Sequence, residues 1–131
     1  MEWSDITPTG ESINGTRPLS GNMGLAVGNN GYLGFRQGIT WENYSLVGIT
    51  DNLREFAMIS DEHEVNMFFI IVSDNGSIFT SYNRLTNWIQ VLSGVPYALR
   101  GIYASSPRDE ADLDLSDVYV VGENGLIMKH D

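Results

Sequence analysis

Val27-Gly28-Asn29-Asn30-Gly31, Val72-Ser73-Asp74-Asn75-Gly76 and Val121-Gly122-Glu123-Asn124-Gly125 read as one phrase written three times. Each ends an apolar run, and a second apolar run follows each. That pattern is strand, turn, strand. Asn-Gly supplies the positive φ values that a type I′ hairpin turn requires, which makes it the strongest short hairpin signal. One Asn-Gly is ordinary; three in the same frame are an internal repeat. The spacings are 45 residues from Val27 to Val72 and 49 from Val72 to Val121. Periods of about 20–50 residues belong to solenoids and propellers.

Other landmarks keep this register. Trp41 follows Val27 by 14 residues and Trp88 follows Val72 by 16. Leu53-Arg54 follows Trp41 by 12, Leu99-Arg100 follows Trp88 by 11, and Ile13-Asn14 follows Trp3 by 10. Each unit therefore reads as four strands. The first carries Leu-Arg, the second ends at the turn, the third runs over 32–35, 78–82 or 126–128, and the fourth carries the tryptophan. Four antiparallel strands in roughly 45 residues is the pattern of a β-propeller blade. The expected fold is all-β, one domain over 1–131 with units near 7–48, 49–94 and 95–131 plus 1–6. Met67–Val72 is apolar at every position, as a strand covered on both faces is. A β-sandwich, the alternative, would alternate more cleanly.

With the ends joined, Trp3 falls 13 residues after Val121, so Met1–Ile6 is expected to supply the fourth strand of the third blade. Propellers have about four to eight blades. Three do not close a ring, so a homo-oligomer is expected, a two-fold dimer of six blades before a trimer of nine. Trp41 and Trp88 are expected to pack between blades.

The turn followed by an apolar strand and then Trp resembles the sialidase-type Asp-box repeats, and among them the blade of the photosystem II stability/assembly-factor family. The likeness covers nearly the whole chain at the level of single blades. The family's pattern, Ser/Thr-x-Asp-x-Gly-x-Thr-Trp, survives in pieces. Gly34-Phe35-Arg36-Gln37-Gly38-Ile39-Thr40-Trp41 keeps the second Gly, the Thr and the Trp, with Arg36 in place of the Asp. Ser81-Tyr82-Asn83-Arg84-Leu85-Thr86-Asn87-Trp88 keeps the Ser and the Trp, with Asn83 for the Asp and Leu85 for the Gly. The resemblance implies a propeller fold. Such blades serve enzymes, lectins, assembly factors and virion proteins alike, so it does not imply one activity.

Composition narrows the classes. Seven Lys+Arg against seventeen Asp+Glu give a net charge of −10, which opposes binding to nucleic acid phosphates or to an anionic membrane face. With no cysteine, there is no disulfide framework, thiolate metal site or cysteine nucleophile. Met1-Glu2-Trp3-Ser4-Asp5 is acidic where a secretion signal is basic, and no apolar h-region follows. The longest apolar run, Met67–Val72, is far shorter than a membrane span. A soluble chain without membrane insertion is expected.

Candidate chemistry is sparse. Sialidase chemistry needs an arginine cluster, a tyrosine nucleophile with a carboxylate partner, and a separate acid; seven scattered basic residues give no arginine triad. No enzyme activity, cofactor or metal is expected. His63 and His130 have no partner at metal-ligand spacing. Residues 107–117 hold five carboxylates within nine positions. The Asp112-x-Asp114-x-x-Asp117 spacing suits Ca²⁺ but lacks the glycine turn and final glutamate of an EF-hand, so a solvated acidic loop is favoured. Asp61-Glu62-His63-Glu64 is the equivalent loop of the second unit, and two acidic loops on one face suit a basic protein partner. Arg54 and Arg100 share one place in the first strand; they either line a central channel and bind an anion or satisfy inner-strand carbonyls, and the structural role is favoured. Three glycosylation sequons, at Asn14, Asn43 and Asn75, are read as chance. The expected function is a non-enzymatic interaction protein that self-associates and docks on a larger assembly, such as a phage tail or capsid. The alternatives are a carbohydrate-binding lectin using Tyr44, Tyr82 and Tyr103, and an assembly factor for a membrane complex.

Overall fold

A computed structural model describes residues 5–8, 10–19, 21–46, 48–60, 67–82, 85–92, 96–104 and 118–130. They form three antiparallel sheets in chain order. The first contains β1 (Ile13–Pro18), β2 (Met23–Gly28), β3 (Leu33–Gln37) and β4 (Thr40–Asn43). The second contains β5 (Leu53–Ser60), β6 (Met67–Ser73), β7 (Ser77–Tyr82) and β8 (Ile89–Leu92). The third contains β9 (Leu99–Ala104), β10 (Val118–Gly122) and β11 (Ile127–Lys129). Within each sheet, neighbours in sequence are neighbours in space. Among the described residues no helix is long and apolar enough to cross a membrane.

The repeat frame is visible atom by atom. Asn29, Asp74 and Glu123 each donate a backbone N–H, at 3.0 Å, to the carbonyl of the residue just before the first strand, namely Ser12, Asn52 and Ala98. The turns depart from the expected two-residue I′ type. Gly28 N–H reaches the Tyr32 carbonyl and Gly122 N–H the Leu126 carbonyl, both at 3.0 Å, so each hairpin encloses a three-residue 3₁₀ turn. The extra residue is the one whose N–H clamps the first strand. Asn30 and Gly31 have φ of 57° and 70°, and Asn124 and Gly125 have 59° and 73°. This left-handed region is open to Gly and tolerated by Asn. The second turn is built differently. The Ser73 hydroxyl accepts the N–H of Asn75 at 3.3 Å and of Ser77 at 3.2 Å, and Gly76, with φ of 78°, carries the positive angle.

Strand pairing fixes which repeat positions share a face, because side chains alternate. Let the front of each sheet be the face bearing Val27, Val72 or Val121. The front of the first sheet (Leu25, Val27, Leu33) packs on the back of the second (Phe56, Phe69, Ile71, Phe79), and these residues are buried. The front of the second sheet (Ile70, Val72, with Ile78) packs on Val118, Val120 and Ile102 at the back of the third, with Leu99 at the end of the junction. The sheets are thus stacked in one sense. β5 touches both β1 and β9, so the first strands stand together. Toward the fourth strands the first junction opens into a cleft of about 630 Å³ lined by Tyr44, Leu46, Phe79 and Trp88.

Trp88 lies just before β8 rather than within it. It is partly buried, 6.4 Å from the Phe69 ring, in the junction between the first and second sheets. Trp41, in β4, is also partly buried, on the back of the first sheet. The expected fourth strand of the third sheet, Met1–Ile6, falls mostly outside the described residues. Its described end sits elsewhere in this chain: the Trp41 indole N–H donates to the Ile6 carbonyl at 2.7 Å, and Pro8 is buried. That contact holds Ile6 beside the first sheet, not the third.

Candidate functional site

Arg54 and Arg100 occupy the same repeat position, near the start of the first strand, and Asn14 is the third member. Each faces the residue that opens its own turn. Asn14 Nδ2 donates to Asn29 Oδ1 at 2.8 Å and to the Leu53 carbonyl at 2.9 Å. Arg54 grips Asp74 through Nε and Nη2, the latter 2.8 Å from Oδ2. Arg100 Nη2 meets Glu123 Oε1 at 2.7 Å. The hydrogen bonds from Arg54 to Asp74 raise the Arg54 pKa; partial burial opposes this, and the charges of Asp74 and Glu123 add to it. Glu123 comes from the third sheet, so the two ion pairs sense each other across the first strands. Here each guanidinium already holds a carboxylate, and two cations with two anions sum to zero. Pairing strand to turn is what such an arrangement does well, and attracting a free anion is not.

Asp112, Asp114, Asp117 and the loop with His63 lie outside the described residues. Among the described residues no group of three or more His, Cys, Asp or Glu is placed to hold a metal ion. His130 is exposed, and its backbone N–H donates to the Val118 carbonyl at 3.0 Å. The three tyrosines considered for carbohydrate are dispersed: Tyr44 just after β4 of the first sheet, Tyr82 in the second sheet and Tyr103 in the third. Tyr44 donates its hydroxyl to Glu42 Oε2 at 2.8 Å, which raises its pKa, and its ring meets Phe35 edge-on. Tyr82 lies against Phe68 at the end of β7, and Tyr103 stands exposed on β9.

The feature that sequence reasoning passed over is the front of the third sheet. Ile127 is 70 % exposed, Tyr103 68 %, Val121 43 % and Tyr119 38 %. Tyr119 pairs with Tyr103, and Val121 pairs with both Gly101 and Ile127, so these residues form one continuous face. Lys129 closes it at one corner, 5.9 Å over the Tyr119 ring. Contiguous exposed apolar surface marks an interaction site more often than a solvated face. The sequence carried no signal for it: Val118-Tyr119-Val120-Val121 is apolar at every position, like Met67–Val72 of β6. Only the structure shows that Tyr119 and Val121 are uncovered while β6 is buried along most of its length.

The chain matches no protein-family model, no curated protein and no solved structure.

Proposed function

We propose that this protein is a non-enzymatic scaffold that assembles with copies of itself, its three sheets serving as propeller-type blades, and that the assembly docks on another protein. The observation that carries this is the exposed front of the third sheet. The counterparts of Tyr119 and Val121 are buried in the first two sheets, Leu25 and Val27 by the second sheet and Ile70 and Val72 by the third. Those of Tyr103 and Ile127 are buried or partly buried. Repeat proteins keep the outer face of a terminal repeat polar when it is to stay in water. Tyr103, Tyr119, Val121 and Ile127 are not such a face. The charge of −10 favours a partner with a basic surface, since complementary charge steers encounter.

Sedimentation velocity across a range of concentrations tests the first step. The expected mass is a multiple of the 14.5 kDa chain. A single-chain mass at every concentration overturns the reading. Reproducible binding to one glycan class on an array, abolished by Tyr103→Ala, would instead favour a lectin.

A further inference from the structure

Among the described residues no sheet covers the back of the first sheet or the front of the third, and the two faces complement each other. At the back of the first sheet Gly24, Ala26 and Gly34 occupy the positions of Phe69, Ile71 and Phe79 in the second. A groove of about 350 Å³ lies over Gly24 and Ala26, walled by Ile6, Met23, Arg36 and Trp41. At the front of the third sheet Tyr119 and Tyr103 stand where the first sheet has Leu25 and Arg17. Small residues line one end and rings project from the other. Resting on the self-assembly reading above, we propose that the front of the third sheet docks on the back of the first sheet of a second copy. Two such seams close two chains into a ring of six sheets.

Two further observations point to the same seam. Gly15 and Gly101 share one repeat position, each opposite the valine of its turn phrase. A Cβ on Gly15 would lie 2.6 Å from the Arg54 carbonyl oxygen, so the next sheet's backbone requires glycine there. A Cβ on Gly101 would meet only its own neighbour Val121, at 3.3 Å, among the described residues. A second copy's first strand, with Asn14 in the place of Arg54, gives Gly101 the approach that Gly15 already has. The second sheet carries Glu55 here, so glycine distinguishes the first junction and the proposed seam from the junction between them.

The N-terminal segment supplies the other observation. Counting Trp3 as a fourth-strand tryptophan makes Ile6, Thr7 and Pro8 the counterparts of Tyr44, Ser45 and Leu46. Tyr44, Ser45 and Leu46 line the cleft beside Trp88 of the following sheet. Ile6, Thr7 and Pro8 line the groove beside Trp41, and Pro8 is buried as Leu46 is. The segment lies where the last strand of a preceding sheet ends. In the ring that sheet is the second copy's third, whose β11 has no further strand beside it among the described residues. A front-to-back contact is heterologous, and it ends in a closed ring rather than a filament when its rotation closes. Six falls within the usual blade number of about four to eight.

The seam places Tyr103 of one copy over Thr16 of the other, as Arg17 lies over Phe56 with Nη2 3.0 Å from its carbonyl. The chain has no cysteine, so Tyr103→Cys and Thr16→Cys proteins are made separately, mixed, and treated with a bismaleimide spanning ~10 Å, the distance between facing sheets. The mixture is expected to give a covalent dimer that neither protein gives alone. Tyr119→Lys, at an exposed site, is expected to keep its circular dichroism and fall to single-chain mass. A self-associating protein whose mixture does not cross-link, and whose mass ignores Tyr119→Lys, overturns the seam and leaves self-assembly standing. A single-chain mass for the unsubstituted protein overturns both. A larger mass that still cross-links keeps the seam and overturns closure at six sheets.

Discussion

The fronts of the second and third sheets occupy the same repeat positions and meet opposite surroundings. Ile70 and Val72 are buried under the third sheet, while Tyr119 and Val121 face outward. Position in a repeat therefore decides which way a residue points. Whether it is buried depends on a neighbour that, for the last sheet, the described residues do not supply. The same substitution at the two places separates these effects. Val72→Asp puts a carboxylate between two sheets with no partner; that costs several kcal/mol, on the order of the whole stability of a small domain. The expected result is loss of the folded circular dichroism signal. Val121→Asp is expected to leave the chain folded with its melting temperature little changed at low concentration, and to lose assembly. Equal damage from the two variants would break the comparison.

The two tryptophans sharpen it at a smaller scale. Trp88 sits in a junction that the chain completes itself, against Phe69. Trp41 sits at the equivalent place on the back of the first sheet, beside a groove. Truncating a well-buried Trp costs ~3–5 kcal/mol. Trp88 is partly buried, so Trp88→Ala is expected near the lower end, independent of protein concentration. Trp41→Ala is expected to cost less in dilute solution and progressively more as concentration rises and the groove fills. Chemical denaturation at several concentrations reads both. A concentration-independent loss at Trp41 equal to that at Trp88 would mean that the groove needs no second copy.

The turn phrases explain why so much of this fold is legible in the sequence. Three Asn-Gly turns 45 and 49 residues apart fix the hairpins and the frame, because left-handed φ is a local demand that few residues meet. The frame calls for twelve strands in three units; eleven stand in three antiparallel sheets among the described residues, and the twelfth, Met1–Ile6, lies mostly outside them. The turn length does not follow. It depends on Asn29 and Glu123 reaching back to Ser12 and Ala98, contacts far away in sequence. The partners of Arg54 and Arg100 were hidden for a related reason. Asp74 and Glu123 are turn residues in their own right, and only the pairing of the first two strands brings each arginine to one. The exposed front of the third sheet was not legible, because Val118-Tyr119-Val120-Val121 is apolar at every position and only the structure shows which members are covered. Its meaning required knowing that Val27 and Val72 are covered.

Comparing the strand-to-turn clasps gives the next prediction. The first sheet uses amides, Asn14 to Asn29, where the second uses Arg54 and Asp74. Replacing both by asparagine in the second sheet converts an ion pair into the first sheet's neutral version. The pair is partly exposed, so solvent screening limits its worth to ~1 kcal/mol or less. The double variant is therefore expected to melt within a few degrees of the original and to lose some salt dependence. Arg54→Asn alone is expected to be worse than the double variant, because it leaves the Asp74 carboxylate without its partner. A double-mutant cycle measures the coupling, and a coupling near zero would show that the clasp positions nothing.

The smallest expected effect is a pH dependence confined to the back of the first sheet. Burial raises the pKa of Tyr32, and the charge of Glu11 raises it further. Its ring lies over Gly34, one of the small residues beneath Trp41. A folded-state pKa above the unfolded value means that the unfolded chain ionises first. The stabilisation is then fully present below about pH 10, the ordinary tyrosine value, and is lost as pH rises through the folded pKa. Stability is expected to fall on that alkaline side, and Tyr32→Phe to make the fall shallower while leaving neutral-pH stability nearly unchanged. Glu11→Gln is expected to act in the same direction, more weakly, because its charge is the lesser cause. If a second copy covers this face, burial of Tyr32 deepens, and the alkaline transition moves to higher pH as protein concentration increases. Urea midpoints at several pH values, at low and high concentration, decide it. A transition that ignores concentration, in a protein shown to assemble, would place the contact on some other face than the back of the first sheet.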